Sequence, residues 1–354
     1  MSVIEDHPLR FKLANELHAR PFPALTPPCH AALLAIKPPQ GAAQRDRARD
    51  RAHLIALLDR FGADHPPPDA THHFADLGRV RLKWESHTEF VTYTIFADGV
   101  EARPFDAAAF AVFPEDWLAE LPAPRLTSAL IRVEPMPEGG AEEIDARLLE
   151  WFVPESLAAA RVLEGTAVVA TDFRIDAAGH MRFAVFVEPG TGPRRVGRIV
   201  QRLAEIETYK AMAMLGLFRV RSMSAQIAAL DARLSELVDG MQVRGREAEA
   251  LLDGLLETSS ELETLLAKSS FRFGATAAYE AIVHDRIAVL REDRFAGRQL
   301  LREFMMRRFD PAMRTVKSAE RQLATMAERA ARAGELLRTR VDVERSAQNQ
   351  QLLA

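Results

Sequence analysis

The chain has 354 residues, 48% of them hydrophobic and 27% charged, with a formal net charge of −4 at pH 7. This composition excludes a disordered chain and is typical of a folded one that is long enough for two domains. Since there is no overall positive charge, we expect no nucleic-acid partner. The single cysteine, Cys29, has no second cysteine for an internal disulfide, which favours a reducing compartment.

The sequence predicts neither an export signal nor a membrane-spanning segment within these residues. Its first residues, MSVIEDHPLRF, carry acids where a signal peptide carries basic residues followed by an apolar run. No window reaches the roughly 18 uninterrupted apolar residues that a membrane-spanning helix needs. The printed residues are therefore expected to form a soluble, cytoplasmic region.

Proline divides the chain into two parts. Most of the 20 prolines precede Pro193, and only Pro311 follows it. Because proline interrupts helices and central strands, the first part is predicted to consist of short elements joined by turns, and the second of long helices. We place the boundary at residues 188–193, which gives an N-terminal α/β domain at 1–190 and a helical bundle or stalk at 191–354.

The first part is predicted to be a mixed α/β domain with a mostly antiparallel sheet, so that the whole chain is α+β. Apolar residues alternate at positions 80, 82 and 84 and again at 91, 93 and 95. Strand side chains alternate between two faces, so this change from even to odd positions requires a turn or bulge within 85–90. Residues 176–179 (DAAG) are a hairpin signal. We predict strands at 30–36, 128–133, 167–175 and 180–187, helices at 44–60 and 142–150, and a loop at 64–73.

The second part is predicted to be long helices with coiled-coil character. Thr191 can cap the first, which runs to about 238 with Gly240 at its end. Further helices are predicted at 247–267, 276–295 and 298–309, and a last one after Pro311. A narrow, alanine-rich seam in that last helix favours close packing, either within a bundle or between copies in a homo-oligomer. The seam consists of Val316, Ala319, Leu323, Met326, Ala330, Ala333 and Leu337.

The common catalytic and phosphate-binding motifs are absent from the sequence. Residues 190–192 (GTG) precede a helix but lack the lysine and spacing of a phosphate loop, so we interpret them as a flexible junction. Eight of the 10 histidines precede residue 90, yet no spacing among them matches a metal-ligand pattern. We therefore expect no metal site, and the sequence indicates no cofactor.

Two polar motifs are the candidate ligand-binding residues. In ELHARPF (16–22), Pro21 restrains Arg20 to an extended conformation. His18 and Arg20 then lie on one face, which suits an anionic partner. In KWESHTEF (83–90), the side chains of Glu85, His87 and Glu89 can share one face at the predicted turn.

Two interpretations of these motifs remain open. In the first, they form a site for a small anion, and an enzyme would use the two carboxylates and the imidazole on such a substrate. In the second, Arg20 forms a salt bridge with Glu85 or Glu89 and fixes the N-terminal segment to the sheet. An open pocket favours the first interpretation, and buried pairs favour the second.

The last residues, RTRVDVERSAQNQQLLA (338–354), contain no helix-stop signal and carry basic residues of the kind found at the cytoplasmic side of a membrane. Six stretches in both parts of the chain carry a resemblance: ELHARPF (16–22), KWESHTEF (83–90), VQRLAEIETYKAMAMLGL (200–217), FRFGATAAYEAIV (271–283), REFMMRRFDPAMRTV (302–316) and LLRTRVDVERSAQNQQLLA (336–354). They resemble a bacterial family described only as uncharacterised, membrane-anchored proteins of unknown function.

In that family a C-terminal pair of transmembrane helices follows the position equivalent to Ala354. The resemblance therefore implies a region that ends just before a membrane anchor, at the cytoplasmic face of the inner membrane. It implies no activity, substrate or catalytic residue. The layout is also similar to that of the cytoplasmic portion of CorA-type magnesium channels, an analogy that does not extend to function.

These observations lead to one main hypothesis and two alternatives. The main hypothesis is a sensing or assembly module that long helices connect to the membrane, with a transporter or channel-like assembly as one form. The first alternative is an enzyme that acts on a small anionic substrate through Glu85, His87, Glu89 and Arg20. The second is a structural scaffold.

Overall fold

The computed structural model describes residues 4–16, 22–242 and 248–353. Contacts between residues divide the chain into two compact units. The first consists of Met1–Ala211 and Val283–Met305, and the second of Met212–Ile282 and Met306–Ala354. The domain boundary near residue 190 stays a prediction, because it was placed where the chain changes composition rather than where contacts change.

The first unit is built on one sheet of nine strands: β1 (Cys29–Ile36), β2 (His72–Asp76), β3 (Val80–Ser86), β4 (Val91–Asp98), β5 (Arg125–Pro135), β6 (Ala158–Val162), β7 (Ala167–Thr171), β8 (Met181–Val187) and β9 (Asp293–Arg294). Their order in the sheet is β2-β3-β4-β1-β5-β8-β7-β6-β9. Of these strands only β5 and β8 pair in parallel, so the predicted α+β class with a mostly antiparallel sheet is confirmed. The short helices are α1 (Arg10–Glu16), α2 (Arg47–Phe61), α3 (Glu115–Ala119) and α4 (Gly140–Trp151).

The even-to-odd change predicted from the sequence is a hairpin. Strands β3 and β4 pair up to Ser86 opposite Val91, and residues 87–90 form the turn between them. Trp84 and Tyr93 face each other across the strands on the apolar side. This side packs against the buried leucines of α2, including Leu54 and Leu57. The turn that the period-two argument required is therefore confirmed.

The sheet differs from the predictions at β2, β7, β6 and β9. The last two residues of the predicted loop at 64–73 belong to β2, an edge strand that pairs with β3. Strand β7 ends at Thr171 rather than at 175, because the Asp172 carboxylate accepts a hydrogen bond from the Arg174 amide and turns the chain. Strands β6 and β9 were not predicted, and they pair with each other across more than 130 residues of sequence. Such distant pairing leaves no local signal.

The remaining elements are long helices, as predicted: α5 (Pro193–Gly240), α6 (Ala248–Leu290), α7 (Leu301–Arg308) and α8 (Asp310–Leu353). Three details were wrong. Helix α6 continues through 268–275, where Ser269 is buried against Met223 of α5. It ends at Leu290 rather than at 295, because residues 293–294 pair with β6. Gly192 rather than Thr191 precedes the helix at the cap position, since its carbonyl oxygen accepts from the Arg195 and Val196 amides. The Thr191 hydroxyl donates to the Thr166 carbonyl oxygen.

The alanine-rich seam of α8 lies inside the second unit. All seven of its residues, from Val316 to Leu337, are buried in the single chain. Intramolecular packing thus accounts for the seam, and the predicted homo-oligomer stays a prediction that would need another surface. No helix of the described residues has an apolar stretch long enough to cross a membrane.

Candidate functional site

The second face of the β3–β4 hairpin is polar, and it is covered rather than exposed to solvent. Lys83 lies opposite Thr94 and Glu85 opposite Thr92, on the side of the hairpin away from the apolar core. Lys83, Thr92 and Thr94 are no more than 7% exposed. Buried polar side chains require hydrogen-bond or ionic partners, so this face forms a buried polar layer inside the first unit.

The first five turns of α5 cover this polar face. Gln201, Glu205 and Tyr209 line the cavity between them, with Ala204 and Thr208 beside them. These three residues are four apart, so they form a single stripe on the helix. The C-terminal end of α6 adds Arg286, which belongs to the same unit.

Together these elements enclose a cleft of about 280 Å³. Its walls carry Glu85 and His87 of the hairpin, four residues of α5 (Gln201, Arg202, Glu205 and Tyr209), and Arg286 and Val289 of α6, with Phe22 at one side. Its volume is just below the range of roughly 300–1,000 Å³ typical of pockets for drug-sized ligands. A small metabolite therefore fits it better than a nucleotide.

Arg45 binds the backbone of the hairpin turn and fixes its position. Its guanidinium donates to the backbone carbonyl oxygens of His87 and Thr88 and to the Ser86 hydroxyl. It also forms an ion pair with Asp50 of α2 at 2.7 Å, and both side chains are almost fully buried. The backbone that carries His87 is therefore fixed by a buried charged group.

Aromatic contacts connect this turn to α5. The His87 ring stacks on Phe90 with a centroid distance of 4.1 Å, and Tyr209 meets it edge-on at 6.1 Å. Phe90 is fully buried. The imidazole is thus oriented by both walls of the cleft.

The structure places the predicted site residues in different surroundings. Glu85 and His87 line the cleft. Glu89 is fully buried, and its carboxylate lies 3.7 Å from the ammonium of Lys37, itself buried. His18 and Arg20 lie outside the described residues, so the predicted meeting of the two motifs stays a prediction.

The carboxylates of the cleft have nearby cationic or amide partners. Glu85 lies 3.0 Å from the Lys83 ammonium. Glu205 accepts a hydrogen bond of 2.8 Å from the Gln201 amide and another from Arg286. The two negative charges that face the cavity are therefore balanced by cations of the site itself.

Arg202 has no direct partner of this kind among the described residues. It is half-buried and carries no hydrogen bond or ion pair to any residue that the structure describes. Burial lowers the pKa of its guanidinium, and the nearby positive charges of Arg198, Arg286 and Arg291 lower it further, against the opposite effect of Glu205. Several positive charges therefore lie close to Arg202, and a bound anion would reduce the repulsion between them.

The sequence motifs predict the hairpin side of the cleft but not its helix side. Gln201, Glu205 and Tyr209 are polar residues four apart, but many other positions of α5 are also polar or charged, so their spacing alone does not single them out. Arg202 gives no signal either, because arginine is frequent along this chain. Only the packing of α5 on the sheet identifies it.

Other buried polar residues serve the fold. The His180 ring lies 2.9 Å from the Ser128 hydroxyl, and both residues are at most 4% exposed. Substrate cannot reach such a pair. Among the residues that the structure describes, no group of three or more His, Cys, Asp or Glu side chains is arranged to hold a metal ion.

A nine-stranded, mostly antiparallel sheet, long helices and a polar cleft define an α+β protein with one candidate ligand site. The chain belongs to the family described as protein of unknown function (DUF3422), whose model matches residues 5–354. This confirms the predicted membership of an uncharacterised family. No curated protein and no solved structure matched the chain.

Proposed function

We propose that this protein is a sensing module that binds a small anionic molecule in the cleft and transmits the bound state through its long helices. The observation that carries the proposal is Arg202, a half-buried cation beside a cavity, which forms no direct ion pair with any of the described residues. Burying an unpaired charge is unfavourable, and a ligand that supplies the opposite charge removes that cost.

The charges of the cleft support an anion rather than a cation. Lys83 offsets Glu85, and Arg286 offsets Glu205, which leaves Arg202 in excess. A planar guanidinium binds a carboxylate or phosphate through two parallel hydrogen bonds, so it gives direction as well as charge.

The transmission part of the proposal is supported by the course of the helices. Arg202 lies on α5, which continues without interruption to Gly240, and Arg286 lies near the end of α6, which begins at Ala248. A ligand held by both arginines would favour one spacing of the two helices. It would shift the conformational equilibrium only as far as it binds one spacing better than the other.

Binding to the full chain is measured by isothermal titration calorimetry with inorganic phosphate and a panel of small carboxylates. We expect at least one anion to bind, and Arg202→Gln to weaken that binding about tenfold or more, since a charge-assisted hydrogen bond contributes roughly 1.5–3 kcal/mol. Arg194→Gln, an exposed arginine of the same helix, is the matched control. Equal affinity in the wild type and Arg202→Gln would refute the anion site.

Catalysis is the second candidate, favoured by the presence of Glu85, His87 and Tyr209 around one cavity. Such groups can donate and accept protons. NMR spectra of the bound anion, recorded over hours with and without protein, separate the two functions. A product that forms with the wild type but not with His87→Gln would indicate an enzyme, whereas an unchanged anion supports sensing.

Attachment to the cytoplasmic face of a membrane and homo-oligomerisation are further parts of the proposal. The membrane attachment is supported by the resemblance of the six sequence stretches and by the basic residues Arg338, Arg340 and Arg345 near the end of α8, whereas a homo-oligomer would need a surface other than the buried seam. The natural gene product should remain in the membrane pellet after a carbonate wash. Recovery in the supernatant would remove the membrane from the proposal and leave a sensing module or a scaffold.

A further inference from the structure

The amide of Gln201 presents an acceptor that the fold does not use. Gln201 is 7% exposed and lines the cleft. Its nitrogen donates to the Glu205 carboxylate at 2.8 Å, while its oxygen, also buried, has no hydrogen-bond partner among the described residues.

The hydrogen bond to Glu205 fixes which way the amide points. A carboxylate only accepts hydrogen bonds, so the amide nitrogen must face Glu205 and the oxygen must face away from it. Rotating the amide by 180° would place two oxygens against each other. The unsatisfied group of Gln201 is therefore an acceptor, and its natural partner is an O–H or N–H group.

We propose that the cleft selects small organic anions that also carry a hydroxyl or amino group, with Arg202 binding the anionic end and the Gln201 oxygen accepting from the donor. This inference rests on the proposed anion site and names its ligand class. Both residues line the same cavity and are neighbours in α5.

The selectivity follows from the cost of an unsatisfied buried acceptor. An anion without a donor would leave the Gln201 oxygen unpaired in a closed site, whereas a hydroxylated anion satisfies it. Sites built to bind a hydroxyl reject analogues that lack it much more strongly than apolar pockets reject a missing methylene. The cavity of about 280 Å³ limits the ligand to a small molecule.

Two pairs of probes test the inference on the full chain by calorimetry. Lactate is compared with propionate, and glycerol 3-phosphate with propyl phosphate, because each pair differs in hydroxyl groups while the anionic group is kept. The pairs also distinguish a carboxylate ligand from a phosphate ligand. We expect the hydroxylated member of at least one pair to bind about tenfold or more tightly than its partner.

Gln201→Met is the matching variant, since it keeps the length of the side chain and removes the acceptor. In this variant the preference for the hydroxylated member should disappear, while the affinity for the other member is retained. If the variant fails to fold, the comparison of probes on the wild type still decides.

The outcomes separate this inference from the proposed function. Binding of both members with equal affinity, weakened by Arg202→Gln, would refute the role of Gln201 and leave the anion site intact. A preference that persists in Gln201→Met would also overturn it. Absence of binding by all four probes, together with no binding of the wider panel, would refute the anion site itself.

Discussion

His53 is a titratable residue whose charged form the fold disfavours. Its ring lies 3.0 Å from the Tyr93 hydroxyl and 3.1 Å from the Trp117 carbonyl oxygen, and it stacks on the Trp117 indole. Burial lowers the pKa of His53, although its hydrogen bond to the Trp117 carbonyl oxygen and the charges of Glu120 and Asp50 oppose this. Burial also lowers the pKa values of His73 and His180.

These shifts predict that acid destabilises the protein. Below about pH 6.5 the unfolded chain binds protons that the folded chain does not, so the free energy of unfolding falls as the pH falls through this value. Each such histidine contributes a slope of at most about 1.4 kcal/mol per pH unit. Urea unfolding at pH 7.5 and 5.5 should show this loss, and His53→Gln should reduce it. The exposed His7, changed to Gln, is the control; a profile that does not depend on pH would contradict the prediction.

Arg45 is the residue on which the hairpin side of the cleft depends. Arg45→Met leaves the Asp50 carboxylate buried without its cation and removes the hydrogen bonds to the turn. Breaking a buried pair in this way costs about 3–5 kcal/mol, so we expect a large drop in the free energy of unfolding.

Arg60→Met is the matched control, because Arg60 pairs with Asp116 at the surface. It should leave stability nearly unchanged, since exposed ion pairs contribute little. Chemical denaturation measures both variants. Similar stability of Arg45→Met and the wild type would show that the turn does not depend on this residue.

At the scale of single elements, α8 shows how a narrow apolar stripe is used inside one chain. Leu323 is fully buried, whereas Leu336 of the same helix is 65% exposed. Helix α8 also forms cross-helix ion pairs within the second unit, from Arg329 to Asp231 and from Lys317 to Glu280. Its apolar stripe therefore has intramolecular partners, and its charged positions flank that stripe.

Leu323→Ala should therefore lower the free energy of unfolding by about 2–5 kcal/mol, through lost burial and the cavity left behind. Leu336→Ala is the matched control within the same helix and should stay within about 0.5 kcal/mol of the wild type. Thermal and urea unfolding measure both. Equal effects of the two substitutions would mean that the seam is not the packed side of α8.

At the scale of the whole molecule, the proposed sensing requires that binding in the first unit change the conformation or local stability of the helices in the second unit. Helix α5 carries Arg202 and Gln201 in one unit, and its residues after 211 belong to the other. Binding that favours one conformation slows local opening wherever that conformation is more ordered.

Hydrogen exchange measured by mass spectrometry tests this coupling. With the anion identified by calorimetry, we expect slower amide exchange in residues 212–240 as well as around the cleft, and no slowing in Arg202→Gln at the same anion concentration. Protection confined to the cleft would show binding without transmission, which would favour the enzyme over the sensor.

Local patterns predicted much of the fold. The alternation around Trp84 and Tyr93 predicted the β3–β4 hairpin, and residues 176–179 predicted the turn between β7 and β8. The scarcity of proline after Pro193 predicted the long helices. Strand β9 escaped prediction because two residues form a strand only where a distant partner, here β6, offers its edge.

The candidate site was predicted only in part, for the same reason. Glu85 and His87 were found because a turn must follow β3, but the sequence could not show that α5 covers the polar face of that hairpin. Glu89 shares the spacing of the other two, yet the structure pairs it with Lys37 in a buried contact. Spacing along a strand stops being informative where the strand becomes a turn.

The sequence by itself determined the class of fold, the long helices and one wall of the cleft, because each depends on residues close together along the chain. The tertiary structure decided which buried charges are paired and which are not. Glu205 and Arg202 are three residues apart on one helix, yet Glu205 forms an ion pair with Arg286, whereas Arg202 has no direct partner among the described residues. That difference depends on how α5 and α6 pack. It is the reason why Arg202, one of many arginines in the helices, is the central residue of the proposed site.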